Sequence, residues 1–394
     1  MDNYDFDTIL DRRKTFSMKW DTKEGELPMW VADMDFMVAP EIRDCLKDML
    51  SQKIYGYSDL PSSWYQAYQN YYAKKYGLSF DAQNLVFSLG VIPSVSSLVR
   101  EFTKPLEKVA IFTPNYPVFY HSITNNNREI GAIPFLKKEN SYEIDWKMVA
   151  ETFRDPKVSF FLMSNPHNPS GKIFSKEELE HLAFLANKYD VFVLSDEIHG
   201  EIVEPGYRYV PYLSLTNARC NSVSCLSPTK AWNIAGLQTS AVLTYDRDVK
   251  KRVETCLNRD EVMEGNFFSY AAAISAYQKG GPWLLKMNEY IASNRQIVSS
   301  FLKEKLPLLK LFPSHSTYLL WIDASFLPQK GIAFADYLRK TTGLYLSDGT
   351  EFSPCSPSAT ASFLRMNIAT SKAILLDGLS RLEEGVNSFL RSHR

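Results

Sequence analysis

No apolar run in the 394 residues approaches the ~18–20 consecutive residues a helix needs to cross a bilayer. No basic run occurs either. Lys and Arg total 44 against 45 Asp and Glu, a formal net charge of −1. That balance leaves no electrostatic footprint for nucleic acid or an anionic membrane surface. Cysteine is scarce: Cys45, Cys220, Cys225, Cys256 and Cys355 form an odd set without a CxxC pair. A disulfide framework and a zinc site are both disfavoured. The six histidines make no HExxH or HxxxH pair, and no metal is expected. The opening stretch Met1–Asp5 is acidic and lacks the charged and apolar regions of a signal peptide. The reducing cytoplasm is the expected compartment.

What is present is an alternation. Short β-rich apolar runs occur at Leu85–Leu89, Val109–Phe112, Val158–Met163, Val191–Leu194, Val223–Leu226 and Ala241–Thr244. Most are separated by stretches long enough for a helix. The clearest helix spans about Lys176 to Asp190, with a capping box from Ser175 and Glu178 and an apolar face of Leu179, Leu182, Ala183 and Ala186. Runs apolar on both faces, joined by helices, predict an α/β fold with a mostly parallel sheet covered on both sides. Residues 1–45 are aromatic and irregular. From about Gly281 the pattern turns helical, beginning at Trp283–Leu306; strand-like pieces follow at Tyr318–Ile322 and Phe363–Ile368, then a last amphipathic helix through Leu375, Leu379, Leu382, Val386 and Phe389. The expected organisation is a large domain over 46–280 and a smaller α/β domain over 281–394, of which the N-terminal segment 1–45 becomes part.

Ligands of open α/β sheets bind beyond the carboxyl ends of the strands, so the residues following each run carry the functional signal. Gly90-Val91-Ile92-Pro93 reads as a close turn into a helix whose first N–H groups face outward, a weak phosphate signal by itself. Thr113–Pro117 places Tyr116 where an aromatic can stack on a flat ring or simply line the sheet rim. Asn165–Gly171 holds two Asn-Pro steps that restrict the turn and direct the amide of Asn168. Ser195–His199 puts Asp196 at the end of a buried strand, where it needs a cation: an arginine elsewhere, or a protonated ring nitrogen on a ligand. Ser227–Lys230 offers two hydroxyls and an amine within four residues. Phosphate donors, a ring stacker, an amide, a buried acid and a lysine at successive strand ends match the needs of pyridoxal phosphate, in which a lysine forms a Schiff base and an acid keeps the pyridine nitrogen protonated.

These segments resemble the fold-type I pyridoxal-phosphate enzymes, the aspartate-aminotransferase superfamily in its class I/II branch. Asn165–Gly171 is similar to that superfamily's NPxNPxG, and Ser227–Lys230 to its SxxK. The resemblance implies that Lys230 carries the cofactor, Asp196 pairs with the pyridine nitrogen, Asn168 bonds the phenolic oxygen and Tyr116 stacks on the ring. It puts His199 near that same oxygen, where relatives often have tyrosine, and Ser227, Thr229 and the backbone of Val91 and Ile92 at the phosphate. Leu27–Phe36, reading LPMWVADMDF, resembles more narrowly the MalY/PatB-type cystathionine β-lyases. Tyr55-Gly56-Tyr57 is similar to the segment from which a tyrosine reaches the partner subunit's cofactor, implying a homodimer with shared sites and a phosphate contact from Tyr57. Arg365 matches the arginine that grips the substrate carboxylate, with Ala32 and Asn168 beside the substrate. Two departures stand out. Gln238 occupies a position where many aminotransferases have arginine, and Phe352–Ser356 replaces an FGxxG-like loop.

The implied activity is a carbon–sulfur β-lyase that converts cystathionine or a related cysteine S-conjugate to a thiol, pyruvate and ammonia. An aminotransferase shares its early steps, and some relatives also control a transcription activator. A regulatory protein partner is thus an open alternative to, or addition to, the enzyme.

Overall fold

The computed structural model describes residues 4–139, 141–325, 327 and 334–392. Its centre is a seven-stranded sheet of Leu85–Ser88 (β1), Lys108–Thr113 (β2), Glu129–Pro134 (β3), Val158–Ser164 (β4), Phe192–Asp196 (β5), Ser222–Leu226 (β6) and Ser240–Leu243 (β7). Their order across the sheet is β1-β7-β6-β5-β4-β2-β3. β2, β3, β4, β5 and β6 pair in parallel, and β7 runs antiparallel to both its neighbours. Every residue of β1, β5, β6 and β7 is buried, as the unbroken apolar runs predict. Two apolar clusters cover the two faces of this sheet.

The sheet is mostly parallel, as expected, with β7 as its antiparallel member; the connection 227–239 that leads into β7 holds no α-helix, only a short 3-10 turn at Ala235–Leu237. Strand β3 escapes the apolar-run criterion because it lies at the sheet edge, with buried and part-exposed residues alternating.

The helix over Lys176–Tyr189 has its capping box: Ser175 accepts from the Glu178 N–H, and the Glu178 carboxylate accepts from the Ser175 N–H at 2.8 Å. It ends at Asp190 in the left-handed region. A second, four-stranded sheet contains Lys310–Leu311 (β8), Leu319–Asp323 (β9), Ser347–Asp348 (β10) and Phe363–Asn367 (β11), in the order β8-β9-β11-β10. Helices Gly281–Lys305 and Lys372–Ser392 accompany it. The N-terminal segment is tied to this part of the chain, because Leu27–Pro28 pairs in parallel with Leu344–Tyr345. No described helix is long and apolar enough to cross a membrane. Each of the five cysteines is free.

The turn Asn165–Gly171 connects the sheets. The carbonyl of Gly171 accepts the Ser316 hydroxyl at 2.8 Å, and Gly171 itself lies at φ +67. A Cβ there would sit 1.9 Å from Ser314 Oγ. Gly171→Ala therefore combines left-handed strain with a clash and should destabilise the fold by about 2 kcal/mol or more, read as a lower denaturation midpoint. An unchanged midpoint would mean that the two sheets are not held at this turn.

Candidate active site

The carboxyl ends of β4, β5 and β6 open on a cavity of about 320 Å³. This lies at the lower end of the range found for small-molecule sites. Asp196 enters it as the last residue of β5, and Lys230 arrives four residues after β6. On the β1 side, Gly90 begins the helix Val91–Phe102 without a side-chain cap, so Val91 and Ile92 line the cavity with the helix N-terminus. The first N–H groups of a helix have no intrahelical partner, which makes this wall receptive to an anion. Tyr116, the residue before the helix Pro117–Thr124, lines the cavity together with Asn168, His199, Thr229 and Ala32.

Burial dominates the electrostatics. Asp196 accepts one bond, from the Ile198 N–H at 3.0 Å, and has no ion pair among the described residues. Desolvation pushes its carboxyl up to about 7, against that bond and the weaker attraction of Lys230. The same effect pushes the His199 ring down to about 3, helped by the positive charges of Lys230 and Arg365. His199 Nδ1 is buried without a partner among the described residues. The Lys230 amine is lowered by burial and donates to the carbonyl of Ala32 at 2.6 Å. A lowered lysine is available as the neutral base.

Arg365, from β11, brings the second sheet to the site. Its Nη1 donates to Asn168 Oδ1 at 3.1 Å, and its Nη2 to the Trp30 carbonyl at 2.8 Å. A guanidinium only donates, so the amide oxygen of Asn168 must face Arg365 and its NH₂ turns the other way. The Phe352 ring lies 4.7 Å from the Arg365 guanidinium carbon, so the divergent Phe352–Ser356 loop packs directly on this arginine.

Three of the expected residues are not in the cavity lining: Arg365, which reaches the site through its bond to Asn168, and Ser227 and Tyr57, which stand elsewhere. Ser227 does not line the cavity. It donates to the Thr239 carbonyl at 2.8 Å and lies 2.7 Å from Thr229 Oγ1, bracing the hydroxyl that does. Tyr57 is fully exposed, in the irregular stretch near Tyr55, whose ring meets Phe267 and Phe268. It is not brought to the cavity of its own chain. Conversely, Ile198 and Gln238 line the cavity without having been assigned a role from sequence. Ile198 gives no signal, since an isoleucine two residues past a buried strand reads as core. Tyr318 was also missed: its buried hydroxyl donates to the Ala32 carbonyl at 3.2 Å, the same oxygen that takes Lys230.

Residues 31–382 match the family described as aminotransferase class I and II. The cystathionine β-lyase PatB of Bacillus subtilis is 35% identical, covering 97% of this chain and 100% of that protein. The structure of cystalysin from Treponema denticola, which contains a pyridoxal 5'-phosphate cofactor, superposes with a TM-score of 0.94 at 27% identity, over 98% of this chain and 99% of that one. The pyridoxal-phosphate-bound C-S lyase of Staphylococcus hominis superposes with a TM-score of 0.91 at 29% identity, covering 98% of both chains. This chain belongs to the class I and II aminotransferase family.

Proposed function

We propose that the protein is a pyridoxal-phosphate-dependent carbon–sulfur β-lyase acting on cystathionine or related cysteine S-conjugates. The observation that carries the reading is the Lys230–Ala32 contact. It builds the segment Leu27–Phe36, the one that resembles β-lyases more narrowly, into the wall around the lysine. The residues present fit the cofactor. Among the described residues Asp196 is a buried carboxylate without an ion-pair partner and the His199 Nδ1 is an unused polar atom in the same enclosure, while Lys230 is a lowered amine. Lys230 would link it, and of the residues that line the cavity, Val91, Ile92 and Thr229 would hold its phosphate and Tyr116 and Ile198 would border its ring.

When bound, the cofactor supplies an electron-withdrawing ring conjugated to the substrate's α-amino nitrogen. Asp196 holds the proton on the pyridine nitrogen, since a cation there relieves the isolated carboxylate. Arg365 takes the substrate carboxylate in its planar fork and thereby orients the α-carbon. Neutral Lys230 removes the α-proton as general base, and the Ala32 carbonyl keeps the resulting ammonium in place. The sulfur leaves the β-carbon with its bonding electrons and is protonated to a thiol. Water completes the balance, giving pyruvate and ammonium. The dimer belongs to the same proposal: the exposed Tyr57 of one chain serves the cofactor phosphate of its partner, where Gln238 cannot provide the charge of an arginine. A cytoplasmic location fits the five unpaired cysteines.

Three outcomes test this reading. The purified protein should be yellow, and Lys230→Ala should remove the covalent link and abolish turnover; normal turnover in that variant removes Lys230 from the chemistry. Cystathionine should yield pyruvate stoichiometrically with no keto acid added, whereas pyruvate that appears only with an aminated acceptor makes the enzyme an aminotransferase. Tyr57→Phe should weaken cofactor retention roughly ten-fold, the scale of one charge-assisted hydrogen bond. If Tyr57→Phe and Lys230→Ala chains are each inactive, mixing them should restore activity, because one site of the mixed dimer becomes whole. No recovery despite verified chain exchange would place Tyr57 in its own chain's site.

A further inference from the structure

The Tyr318 side chain is buried, its hydroxyl reaches the wall around Lys230, and none of the roles above uses it. Tyr318 immediately precedes β9, and contacts from three elements fix it. Its own carbonyl accepts the Ile368 N–H at 2.9 Å, and the N–H of the preceding Thr317 donates to the Ile202 carbonyl at 2.8 Å. The Thr317 carbonyl accepts from Arg295 Nη2, on the helix Gly281–Lys305, at 2.6 Å. The Tyr318 ring meets His199 edge-on, with centroids 6.2 Å apart. The hydroxyl therefore has little freedom, and the partner it finds among the described residues is the Ala32 carbonyl at 3.2 Å.

That oxygen is also the acceptor of Lys230 Nζ at 2.6 Å, and Lys230 has no other hydrogen-bond partner among the described residues. A carbonyl oxygen has two lone pairs. Tyr318 takes one from a fixed direction and leaves the other to the lysine. A short lysine bond beside a longer tyrosine bond is what two donors sharing one acceptor give. Burial raises the Tyr318 hydroxyl far above its ordinary range, so it stays a donor and never becomes a base. The other titratable groups around the lysine are Asp33 beside Ala32, Tyr116 before its helix, Asp196 and His199 at the end of β5, and Arg365 on β11. All of these remain when only the Tyr318 hydroxyl is removed.

We propose that Tyr318 is a positioning residue for Lys230: its hydroxyl occupies one side of the Ala32 oxygen, aims the lysine nitrogen at the other, and keeps that oxygen from holding the ammonium too tightly to return its proton. This rests on the reading of Lys230 as the cofactor lysine and base. The dipole fixes the sign. The O–H group turns its positive end toward the oxygen that the ammonium shares, which disfavours the charged amine relative to the neutral one. Without the hydroxyl, the Ala32 oxygen is a better acceptor and the proton affinity of the freed lysine rises.

Two measurements read that affinity. One is the acid limb of kcat against pH in the holoenzyme, which reports the base in the substrate complex. The other needs no turnover: it is the pH dependence of the rate at which cofactor-stripped protein regains its visible band on adding pyridoxal phosphate, since only the neutral lysine attacks the aldehyde. Tyr318→Phe should move both midpoints to higher pH, by up to roughly one unit. Replacing Tyr318 by 3-fluorotyrosine, a stronger donor of nearly the same shape, should move both to lower pH, and it carries the test alone if Tyr318→Phe does not fold. Midpoints that stay in place in a folded variant while turnover falls, or that move in the same direction in both variants, would overturn the proposal and leave Tyr318 a packing residue. A visible band that persists in Lys230→Ala would instead remove the reading of Lys230, and the proposal with it.

Discussion

Asp196 ends the central strand β5 with its carboxylate enclosed, one backbone N–H on Oδ1, and no lysine or arginine within ion-pair reach among the described residues. Leaving a buried charge uncompensated costs several kcal/mol, or else forces the group to protonate. Burial accordingly raises its carboxyl to about 7. The nearby cations are already accounted for. His199 is pushed down to about 3 and stays neutral, Lys230 is lowered and turned to the Ala32 carbonyl, and Arg365 is spread over Asn168, Trp30 and Ser347. A protonated ring nitrogen satisfies what the fold itself does not. Tyr116, Asn168 and the helix beginning at Val91 border the same cavity as this carboxylate.

The segment Trp30–Phe36 holds the two halves of the site in register, and it does so through its carbonyl oxygens. That of Trp30 takes Arg365, those of Val31 and Asp33 take the Asn367 amide, and that of Ala32 takes Lys230 and Tyr318. That of Met34 takes Arg12 and Asn233, and that of Phe36 takes Asn233 again. Acceptors on one short stretch thus tie the lysine after β6 to the arginine on β11. Behind it, Trp30 stacks on Tyr345 at 4.9 Å, and Arg339 lies over the Tyr345 ring while pairing with Glu26. Residues remote in sequence therefore fix the backbone that holds Lys230 and Arg365.

Much of this was legible before any coordinates. Buried parallel strands announce themselves as unbroken apolar runs, and a polar residue just past such a run stands out. Asp196, Asn168 and Lys230 were visible for that reason. Strand β3 was not, because an edge strand only half faces the core. The antiparallel turn of β7 was not, because burial records depth and not direction. Within the site, Ile198 hid as an ordinary core residue. Tyr318 hid because its contact with Ala32 spans a large separation that local pattern does not encode. Ser227 was read as facing a ligand, since a hydroxyl beside a lysine does not reveal whether it points inward or braces its neighbour.

The most direct measurement is the affinity of Asp196→Ala for pyridoxal phosphate, with cofactor fluorescence as readout and wild type beside it. If Asp196 exists to pair with a protonated ring nitrogen, its removal should cost a charge-assisted bond of about 1.5–3 kcal/mol, and the dissociation constant should rise roughly ten- to hundred-fold. An unchanged affinity with unchanged β-elimination would contradict the account, and the buried carboxylate would need another partner.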